Sequence, residues 1–340
     1  LNDDGDQIIN GKNIVIATGS EVAVPDNVVI DEKDILSSTG ALSLSKVPDE
    51  LVVVGAGYIG LEMGSVWSRL GSKVTVIEYA DRIIPNMDNE ISNQFQKILI
   101  KQGIDFKLST AFKKITKKNN KLYISIETKE GQTSEISCDK VLISIGRKPY
   151  TFGLNLDEAG VQTDSKGFII TKDNFQTSAE NIFAIGDCKL GPMLAHKASE
   201  EGTALAEIIV GQVGHVNFDT IPSVVYTAPE VASVGKTEEE LKSLGLKYKV
   251  GKFPFTANAK AKVMHETLGF VKILSDANSD KVLGVHMIGP DVGNMIAELA
   301  LAMEFGASSE DIARTCHAHP TLTESIKEAA LNVEKRAIHI

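Results

Sequence analysis

A titratable imidazole and a carboxylate lie close together in the segment HAHPTLTE at residues 317–324. A carboxylate bound to one ring nitrogen of His319 would fix its tautomer and raise the basicity of the other nitrogen, which suits proton transfer near neutral pH. Pro320 is predicted to open a helix, which would place Glu324 about one turn in and able to reach back. His319 is therefore a candidate base, although a histidine before a proline is more often a turn residue. His317 would point elsewhere if the segment is extended.

A glycine-rich turn offers the second candidate site, with the sequence GAGYIG at residues 55–60. The apolar run before it predicts a strand, and the helical spacing of the apolar residues after it predicts a helix. In that context Gly55 permits a tight turn, Gly57 lets the backbone approach a pyrophosphate, and Gly60 lets the helix pack closely on the strand. Free N–H groups at the start of the helix would attract the phosphates. The alternative is a glycine-rich turn that is packed only for structural reasons.

Glu78 ends the next predicted strand, KVTVIE at residues 73–78. Its carboxylate would accept hydrogen bonds from both ribose hydroxyls of an adenosine, and its charge would repel a 2′-phosphate. NAD is therefore favoured over NADP. Arg82 lies nearby in the sequence and leaves NADP open as the alternative.

A third candidate site follows the apolar strand NIFAIGD at residues 181–187, where Asp187 could present its carboxylate to a polyol chain. The residues that would then begin a helix and turn its N–H groups towards an electron-rich ring edge are Met193, Leu194, Ala195 and His196. Plain turn chemistry explains these residues equally well.

The composition is that of an ordinary globular protein. The 340 residues are 43% hydrophobic and 24% charged, which predicts two or three domains. The formal net charge of -10 argues against nucleic acid or a membrane surface as the main partner. Cys138, Cys188 and Cys316 form no C-x-x-C or C-x-x-x-x-C pair, so we predict no disulfide framework, no metal site and a reducing compartment.

The order of the predicted elements gives the fold class. Strands alternate with helices between residues 51 and 145, apart from a hairpin at 122–138, and this alternation predicts a doubly wound α/β sheet. Residues 21–49 show weak periodicity and are predicted to connect two lobes. From about Asn217 the predicted strands and helices are typical of a separate α+β domain with a mostly antiparallel sheet.

Taken together, the motifs resemble those of the dihydrolipoamide dehydrogenases in the pyridine nucleotide–disulfide oxidoreductase family. They run in the family's order over essentially the whole chain and are ATGS at 17–20, VVVGAGYIGLEMGSVW at 52–67, ISIGRKP at 143–149, AIGDCKLGPMLAHKASEEG at 184–202, YTAPEVASVG at 226–235 and HAHPTLTE at 317–324.

The resemblance implies a Rossmann-like NAD domain, a remnant of an FAD domain and a C-terminal α+β dimerisation domain. The implied segments are the tail of the FAD domain with a connection at 1–48, the NAD-binding domain at 49–145, a central FAD-contacting segment at 146–216 and the dimerisation domain at 217–340. In the family, a first G-x-G-x-x-G and a C-x-x-x-x-C dithiol precede the part seen here. Leu1 to Ile16 reads as a turn that enters a strand already under way, so we expect the natural N-terminus to lie upstream.

The resemblance also implies the residue roles. The residues that would contact NAD are Gly55, Ala56, Gly57, Tyr58, Ile59, Gly60, Leu61, Glu62, Glu78, Phe112 through its backbone, and Gly146 on the nicotinamide side. The residues that would contact FAD are Thr18, Gly19, Ser20, Asp187, Met193, Leu194, Ala195 and His196. His319 would accept a proton and Glu324 would orient it, against the flavin and disulfide of the other subunit of a homodimer.

The implied reaction is the oxidation of a protein-bound dihydrolipoyl group by NAD, through a disulfide and FAD. The implied partners are a second copy of the chain, and the lipoyl domains and core of a 2-oxoacid dehydrogenase complex. The implied compartment is the bacterial cytoplasm or the mitochondrial matrix. A targeting segment is not observable in this sequence.

Three other functions stay open. A glutathione or mercuric reductase would share the architecture. A glutathione reductase would be expected to carry basic residues at the end of the second strand to hold a 2′-phosphate, and the acidic Glu78 at that position argues against it. A soluble transhydrogenase needs no thiol base, so the segment 317–324 argues against it. Finally, the chain could be an inactive fragment that binds NAD and dimerises, because its three cysteines cannot assemble the family's dithiol.

Overall fold

A computed structural model describes residues 8–119 and 121–340 of the chain. Contacts divide the chain into two compact units. The first contains the segment that ends at Ala23 and residues 146–216, and the second contains residues 24–145 and 217–340. The domain bounds implied by the family at 48, 145 and 216 stay predictions.

In the described part of the chain the strands are β1 Ile14–Ile16, β2 Ser20–Val22, β3 Ile35–Leu36, β4 Glu50–Val54, β5 Lys73–Ile77, β6 Asp105–Lys107, β7 Thr110–Lys118, β8 Lys121–Thr128, β9 Thr133–Cys138, β10 Lys140–Ile143, β11 Arg147–Pro149, β12 Ile182–Ala184, β13 Ser223–Val225, β14 Glu230–Gly235, β15 Tyr248–Pro254, β16 Phe270–Asp276 and β17 Val282–Gly289. The α-helices there are α1 Ser38–Leu42, α2 Tyr58–Arg69, α3 Asn89–Lys101, α4 Ala195–Ile209, α5 Glu238–Ser243, α6 Ala259–Met264, α7 Val292–Glu304, α8 Ser309–Arg314 and α9 Glu324–Val333.

The first unit contains two small sheets and one long helix. β1 pairs in parallel with β12, and β2 pairs in antiparallel with β11. The buried residues Ala184 and Cys188 belong to its core. The pairing of β1 with β12 brings the turn after β1 and the turn after β12 to the same edge, which is where the sequence predicts FAD-contacting residues.

The second unit opens with the predicted doubly wound sheet. Its five parallel strands lie in the order β3-β10-β4-β5-β6. Helix α3 begins directly after Asp88, whose side chain caps it by accepting a hydrogen bond from the N–H of Glu90 at 3.0 Å. Its apolar face buries Ile91, Phe95 and Leu99 in the core that also contains β4 and β5. This packing fixes the carboxyl ends of β4 and β5, where the glycine turn and Glu78 lie.

The rest of the second unit contains the predicted antiparallel sheet. Its strands lie in the order β13-β14-β17-β16-β15, and α7 and α9 bury apolar side chains against it. The predicted fold class is therefore confirmed in both of its α/β and α+β parts. None of the helices in the described residues is long and apolar enough to cross a membrane.

Several elements differ from the sequence-based prediction. Residues 21–49 are more than a connection, because β3 joins the parallel sheet and α1 follows it. The predicted hairpin is part of a three-stranded sheet, since β7 pairs with β8 along its whole length. Strand β14 was also missed. These segments carry too few strong strand formers to be identified alone, and pairing with neighbours decides their structure.

A buried ammonium joins the two parts of the second unit. Lys272 of β16 is 1% exposed and lies 3.0 Å from both carboxylate oxygens of Asp88, 2.6 Å from Glu238 and 3.3 Å from Glu90. Asp88 also caps α3 of the doubly wound part. Removing either partner would leave a buried charge without compensation, so this cluster fixes the parallel-sheet part of the second unit against the antiparallel-sheet part.

We predict that Lys272→Met lowers the free energy of unfolding by about 3–5 kcal/mol, because it leaves Asp88 buried without a counter-charge. Urea unfolding at pH 7 measures this. The matched control is Lys242→Met, which removes an exposed lysine 2.9 Å from Glu238 and should cost less than ~1 kcal/mol. Equal small losses in both variants would contradict this account of the cluster.

The same cluster predicts acid sensitivity. Burial alone would raise the pKa of Glu238, but hydrogen bonds from Lys272, Lys242 and Tyr248 outweigh burial and lower the pKa to about 2. A carboxyl group whose pKa is lower in the folded state than in the unfolded state stabilises the fold at pH values above its unfolded pKa of 4.5. This contribution is lost as the pH falls towards 2. In Lys272→Met the loss of stability over this range should be smaller than in the wild type.

Candidate functional site

The glycine-rich turn lies between β4 and α2, as predicted. Gly55 adopts φ +106°, and a Cβ there would come within 2.4 Å of the carbonyl oxygen of Ser144. A Cβ at Gly60 would come within 2.2 Å of the carbonyl oxygen of Gly55. Both glycines are therefore required by the protein itself, for the tight turn and for close packing of α2.

Gly57 has a different reason to be glycine. Its φ of -80° is open to any residue, and a Cβ would meet no atom within 4 Å. Gly57 is also the N-cap of α2, without a side-chain hydrogen bond, so the N–H groups of the first turn are not capped there. An open face beside uncapped helix N–H groups fits an anionic ligand such as the pyrophosphate of NAD.

Glu78 lies at the end of β5 and turns back to this loop. Its Oε2 accepts a hydrogen bond from the N–H of Ala56 at 2.7 Å, and its Oε1 accepts one from Ala80 at 2.8 Å. The carboxylate therefore lies beside the glycine turn, where it can accept from ribose hydroxyls and repel a 2′-phosphate. Arg82, the observation that left NADP open, donates instead to the carbonyl of Pro85 at 2.9 Å.

The other predicted NAD contacts have varied surroundings. Glu62 accepts a hydrogen bond from the N–H of Tyr226 at 2.8 Å, and burial raises the pKa of Glu62 although this bond opposes the shift. Burial likewise raises the pKa of Tyr58. Leu61 is fully buried in the core. Phe112 lies on β7, whose first residue donates its N–H to the carbonyl oxygen of Glu78.

The first unit brings two predicted FAD residues into contact. The hydroxyl of Ser20 donates to the carboxylate of Asp187 at 2.6 Å, and Nε of Arg147 donates to the same hydroxyl at 2.6 Å. The hydroxyl of Thr18 donates to the carbonyl of Tyr150 at 2.6 Å. Sequence reasoning missed Arg147, because its contact with Ser20 depends on the pairing of β2 with β11.

Helix α4 begins at Ala195, two residues later than the predicted start at Met193. Leu194 is its N-cap and makes no side-chain cap, so this helix end has N–H groups suited to an electron-rich ring edge, and the residues fit FAD in this respect. His196 is exposed on the first turn. Gly19 and Gly146 adopt φ +74° and +128°, and a Cβ at either would meet no atom within 4 Å.

His319 and Glu324 are paired as the sequence predicts. Nδ1 of His319 lies 2.8 Å from Oε1 of Glu324, and the N–H of Thr321 donates to Oε2 at 2.8 Å. A carboxylate only accepts, so Nδ1 carries the hydrogen and Nε2 is left as the basic nitrogen. The His319 side chain is 71% exposed, which makes Nε2 accessible to a substrate.

Local charge keeps Glu324 ionised. Burial alone would raise its pKa, but the N–H of Thr321, the hydrogen bond from His319 and the charges of His319 and His339 together lower it. The predicted helix start at Pro320 is wrong, because α9 begins at Glu324. Glu324 reaches His319 from the first position of the helix, since residues 320–323 form a turn that folds back on it.

His317 points elsewhere, as predicted. Its Nε2 lies 2.9 Å from Glu298 of α7 and its Nδ1 lies 3.0 Å from the carbonyl of Thr315. Both partners accept, which favours the doubly protonated ring, and the hydrogen bond to Glu298 raises the pKa of His317. This histidine anchors the segment rather than acting as a base.

The cysteines are all free thiols. Cys138 and Cys188 are buried, and burial raises the pKa of Cys138 to about 12, so it is an inert thiol. Cys316 is likewise a free thiol, but it is exposed. Sequence reasoning also missed Asn258, whose amide donates to the carbonyl of Thr321 at 3.0 Å and supports the loop that carries His319.

Comparison with known proteins identifies the family. The family model described as pyridine nucleotide-disulphide oxidoreductase matches residues 1–202, and the model of its dimerisation domain matches residues 221–330. The mitochondrial dihydrolipoyl dehydrogenase of Pisum sativum is 54% identical over 334 residues, which are 98% of this chain and 67% of that protein. Dihydrolipoyl dehydrogenase 3 of Pseudomonas putida is 52% identical over 99% of this chain and 72% of that protein.

Solved structures show the same fold. A Cu(II) complex of the HOCl-induced flavoprotein disulfide reductase RclA from Escherichia coli has a TM-score of 0.89 at 28% identity, over 97% of this chain and 74% of that one. LpdA from Mycobacterium tuberculosis has a TM-score of 0.87 at 26% identity, over 94% of this chain and 69% of that one.

We predict that Gly57→Ala leaves the fold intact but weakens NADH binding by about tenfold to a hundredfold, because a crowding methyl costs about 1–3 kcal/mol. Fluorescence titration with NADH and thermal unfolding measure the two quantities. The matched control is Gly60→Ala, which should lower the unfolding temperature because its Cβ meets the carbonyl oxygen of Gly55. NADH affinity unchanged in Gly57→Ala would exclude a pyrophosphate at this turn.

Proposed function

The chain belongs to the pyridine nucleotide-disulphide oxidoreductase family, and from that premise we propose that it carries the NAD site and the thiol base of a dihydrolipoyl dehydrogenase. The observation that carries the proposal is the bond from Nδ1 of His319 to Glu324. It leaves an exposed basic nitrogen in a chain that also presents a dinucleotide turn. The proposed reaction is the NAD-dependent oxidation of a protein-bound dihydrolipoyl group.

The proposed NAD site consists of the turn at Gly55–Gly60 and Glu78. Gly57 leaves room for the pyrophosphate beside the uncapped start of α2, and Glu78 accepts hydrogen bonds from the adenosine ribose. The like charge of Glu78 disfavours a 2′-phosphate, which supports NAD over NADP. Tyr58, Glu62, Phe112 and Gly146 stay proposed contacts of the same cofactor.

The proposed FAD contacts lie in the first unit. Ser20 orients the carboxylate of Asp187, which is then available to a polyol hydroxyl, and the start of α4 offers N–H groups to the ring edge. When bound, FAD supplies two-electron exchange between a dithiol and NAD. The family's own name refers to pyridine nucleotide and disulphide, and the similar Escherichia coli reductase is called a flavoprotein.

In the proposed proton transfer, Nε2 of His319 accepts the proton of a substrate thiol. The resulting thiolate attacks a disulfide, forms a bond to one of its sulfurs and releases the other as a thiolate. Glu324 holds the ring in the required tautomer and stabilises the imidazolium that forms. The chain spans about two thirds of the length of the pea relative, 67%, and we propose that the disulfide comes from a part of the enzyme outside these 340 residues.

The proposed assembly is a homodimer through the C-terminal domain, which the dimerisation model matches. Lipoyl domains and the core of a 2-oxoacid dehydrogenase complex are the proposed macromolecular partners. Relatives named mitochondrial, and one from a bacterium, support the mitochondrial matrix or the bacterial cytoplasm as the compartment.

We predict that His319→Gln slows dihydrolipoamide oxidation by about 10²–10⁴-fold in an enzyme that contains the redox dithiol, because it removes the base. Stopped-flow and steady-state assays with NAD measure this. NADH-driven reduction of ferricyanide in the same sample is the control, since it needs no thiol base and should be unchanged. Wild-type turnover of dihydrolipoamide in the variant would refute the proposed role of His319.

A further inference from the structure

Helix α9 carries a second carboxylate one turn beyond Glu324. Glu328 follows at the i+4 position, so both side chains project from the same face of the helix. Glu328 is only 4% exposed, which is unusual for a carboxylate without strong hydrogen-bond partners.

The partners of Glu328 come from the segment 335–340. Its Oε2 accepts hydrogen bonds from the N–H groups of Ile338 at 2.8 Å and His339 at 3.3 Å, and its Oε1 accepts from Nδ1 of His339 at 2.7 Å. Three bonds to one buried carboxylate hold this segment on the helix. His339 is thereby bound in the same way as His319, with Nδ1 donating to a glutamate of α9.

The two histidine–glutamate pairs share one small cavity. His319, Glu324, Glu328 and His339 all line a space of about 50 Å³, and the neutral Asn258 also faces it. The cavity therefore has His339 as one wall and the proposed base as another. Arg336 of the 335–340 segment pairs with Glu310, which is not among the residues that line the cavity.

We propose that His339 is a positioning residue of the thiol site. Bound to Glu328, its ring forms a wall of the cavity, and its charge keeps Glu324 in the ionised form that orients His319. The proposal rests on the function proposed above. The titratable groups that face His339 are Glu324 and Glu328 of α9 and His319 of the preceding loop, while β15 and the start of α6 contribute the neutral Phe253 and Asn258. The positive charge of His339 contributes to the lowered pKa of Glu324.

Two variants separate the wall from the charge. His339→Ala removes both, whereas His339→Gln removes the charge but keeps an N–H donor for Glu328. The control is His265→Asn, which removes an exposed imidazole outside the cavity and keeps a residue that tolerates φ +58°. All are made in the 340-residue chain and compared by carboxyl ¹³C NMR titration and amide hydrogen exchange.

We expect the pKa of Glu324 to move upward in both His339 variants and to stay at the wild-type value in His265→Asn. Amide exchange at Ile338 and residue 339 should rise in His339→Ala and stay slow in His339→Gln. A Glu324 titration that is unchanged in both variants overturns the proposal, even if exchange rises, because His339 would then be only structural.

The test of His339 and the test of the proposed reaction can fail separately. If His339 moves the titration of Glu324 but His319→Gln keeps full dihydrolipoamide turnover, the proposed function fails and the coupling stands. If His319→Gln abolishes turnover while Glu324 ignores His339, the function stands and this inference fails.

Discussion

The proposed chemistry depends on how one carboxylate divides its two oxygens. Oε1 of Glu324 takes the hydrogen bond of His319, and Oε2 takes the backbone N–H of Thr321. The second bond fixes the carboxylate to the same loop that carries the histidine. Because the acceptor is anionic, the imidazole keeps its hydrogen on Nδ1 and presents a basic Nε2. A neutral acceptor would hold the same geometry but would stabilise the protonated ring less.

The surrounding structure supports this pair from several sides. Asn258 holds the carbonyl of Thr321, and His317 anchors the start of the loop on Glu298 of α7. The same antiparallel sheet that carries α7 and α9 is joined to the parallel-sheet part of the second unit through buried Lys272. The parallel sheet then fixes the glycine turn and Glu78 at the ends of adjacent strands. The glycine turn with Glu78 and the pair of His319 and Glu324 therefore both depend on the packing of the folded second unit.

Local patterns were predictable from the sequence, and contacts across the fold were not. The turn at Gly55–Gly60 and Glu78 at the end of the second strand depend on neighbours a few residues away, and both lie where predicted. The residue at which a helix begins within the site was harder to predict. Pro320 has the residue type for a helix start, yet the helix begins four residues later because Glu324 is drawn back to His319 and Thr321.

The missed features all involve distant partners. Arg147 meets Ser20 only because β11 pairs with β2, and β3 and β14 are strands only because their neighbours pair with them. The binding of His339 to Glu328 joins two residues whose types suggest no special relation in the sequence. The separate roles of the glycines were, by contrast, predicted from the motif, and the close approaches at Gly55 and Gly60 agree with the predicted turn and helix packing.

The tautomer of His319 is the most direct test of this account. In a histidine ¹⁵N-labelled sample near neutral pH, long-range ¹H–¹⁵N spectra distinguish a ring nitrogen that carries hydrogen from one that does not. The account predicts that Nδ1 carries the hydrogen and Nε2 is bare, and that this preference is lost in Glu324→Ala. A ring with its hydrogen on Nε2, or one whose tautomer is the same with and without Glu324, would contradict it.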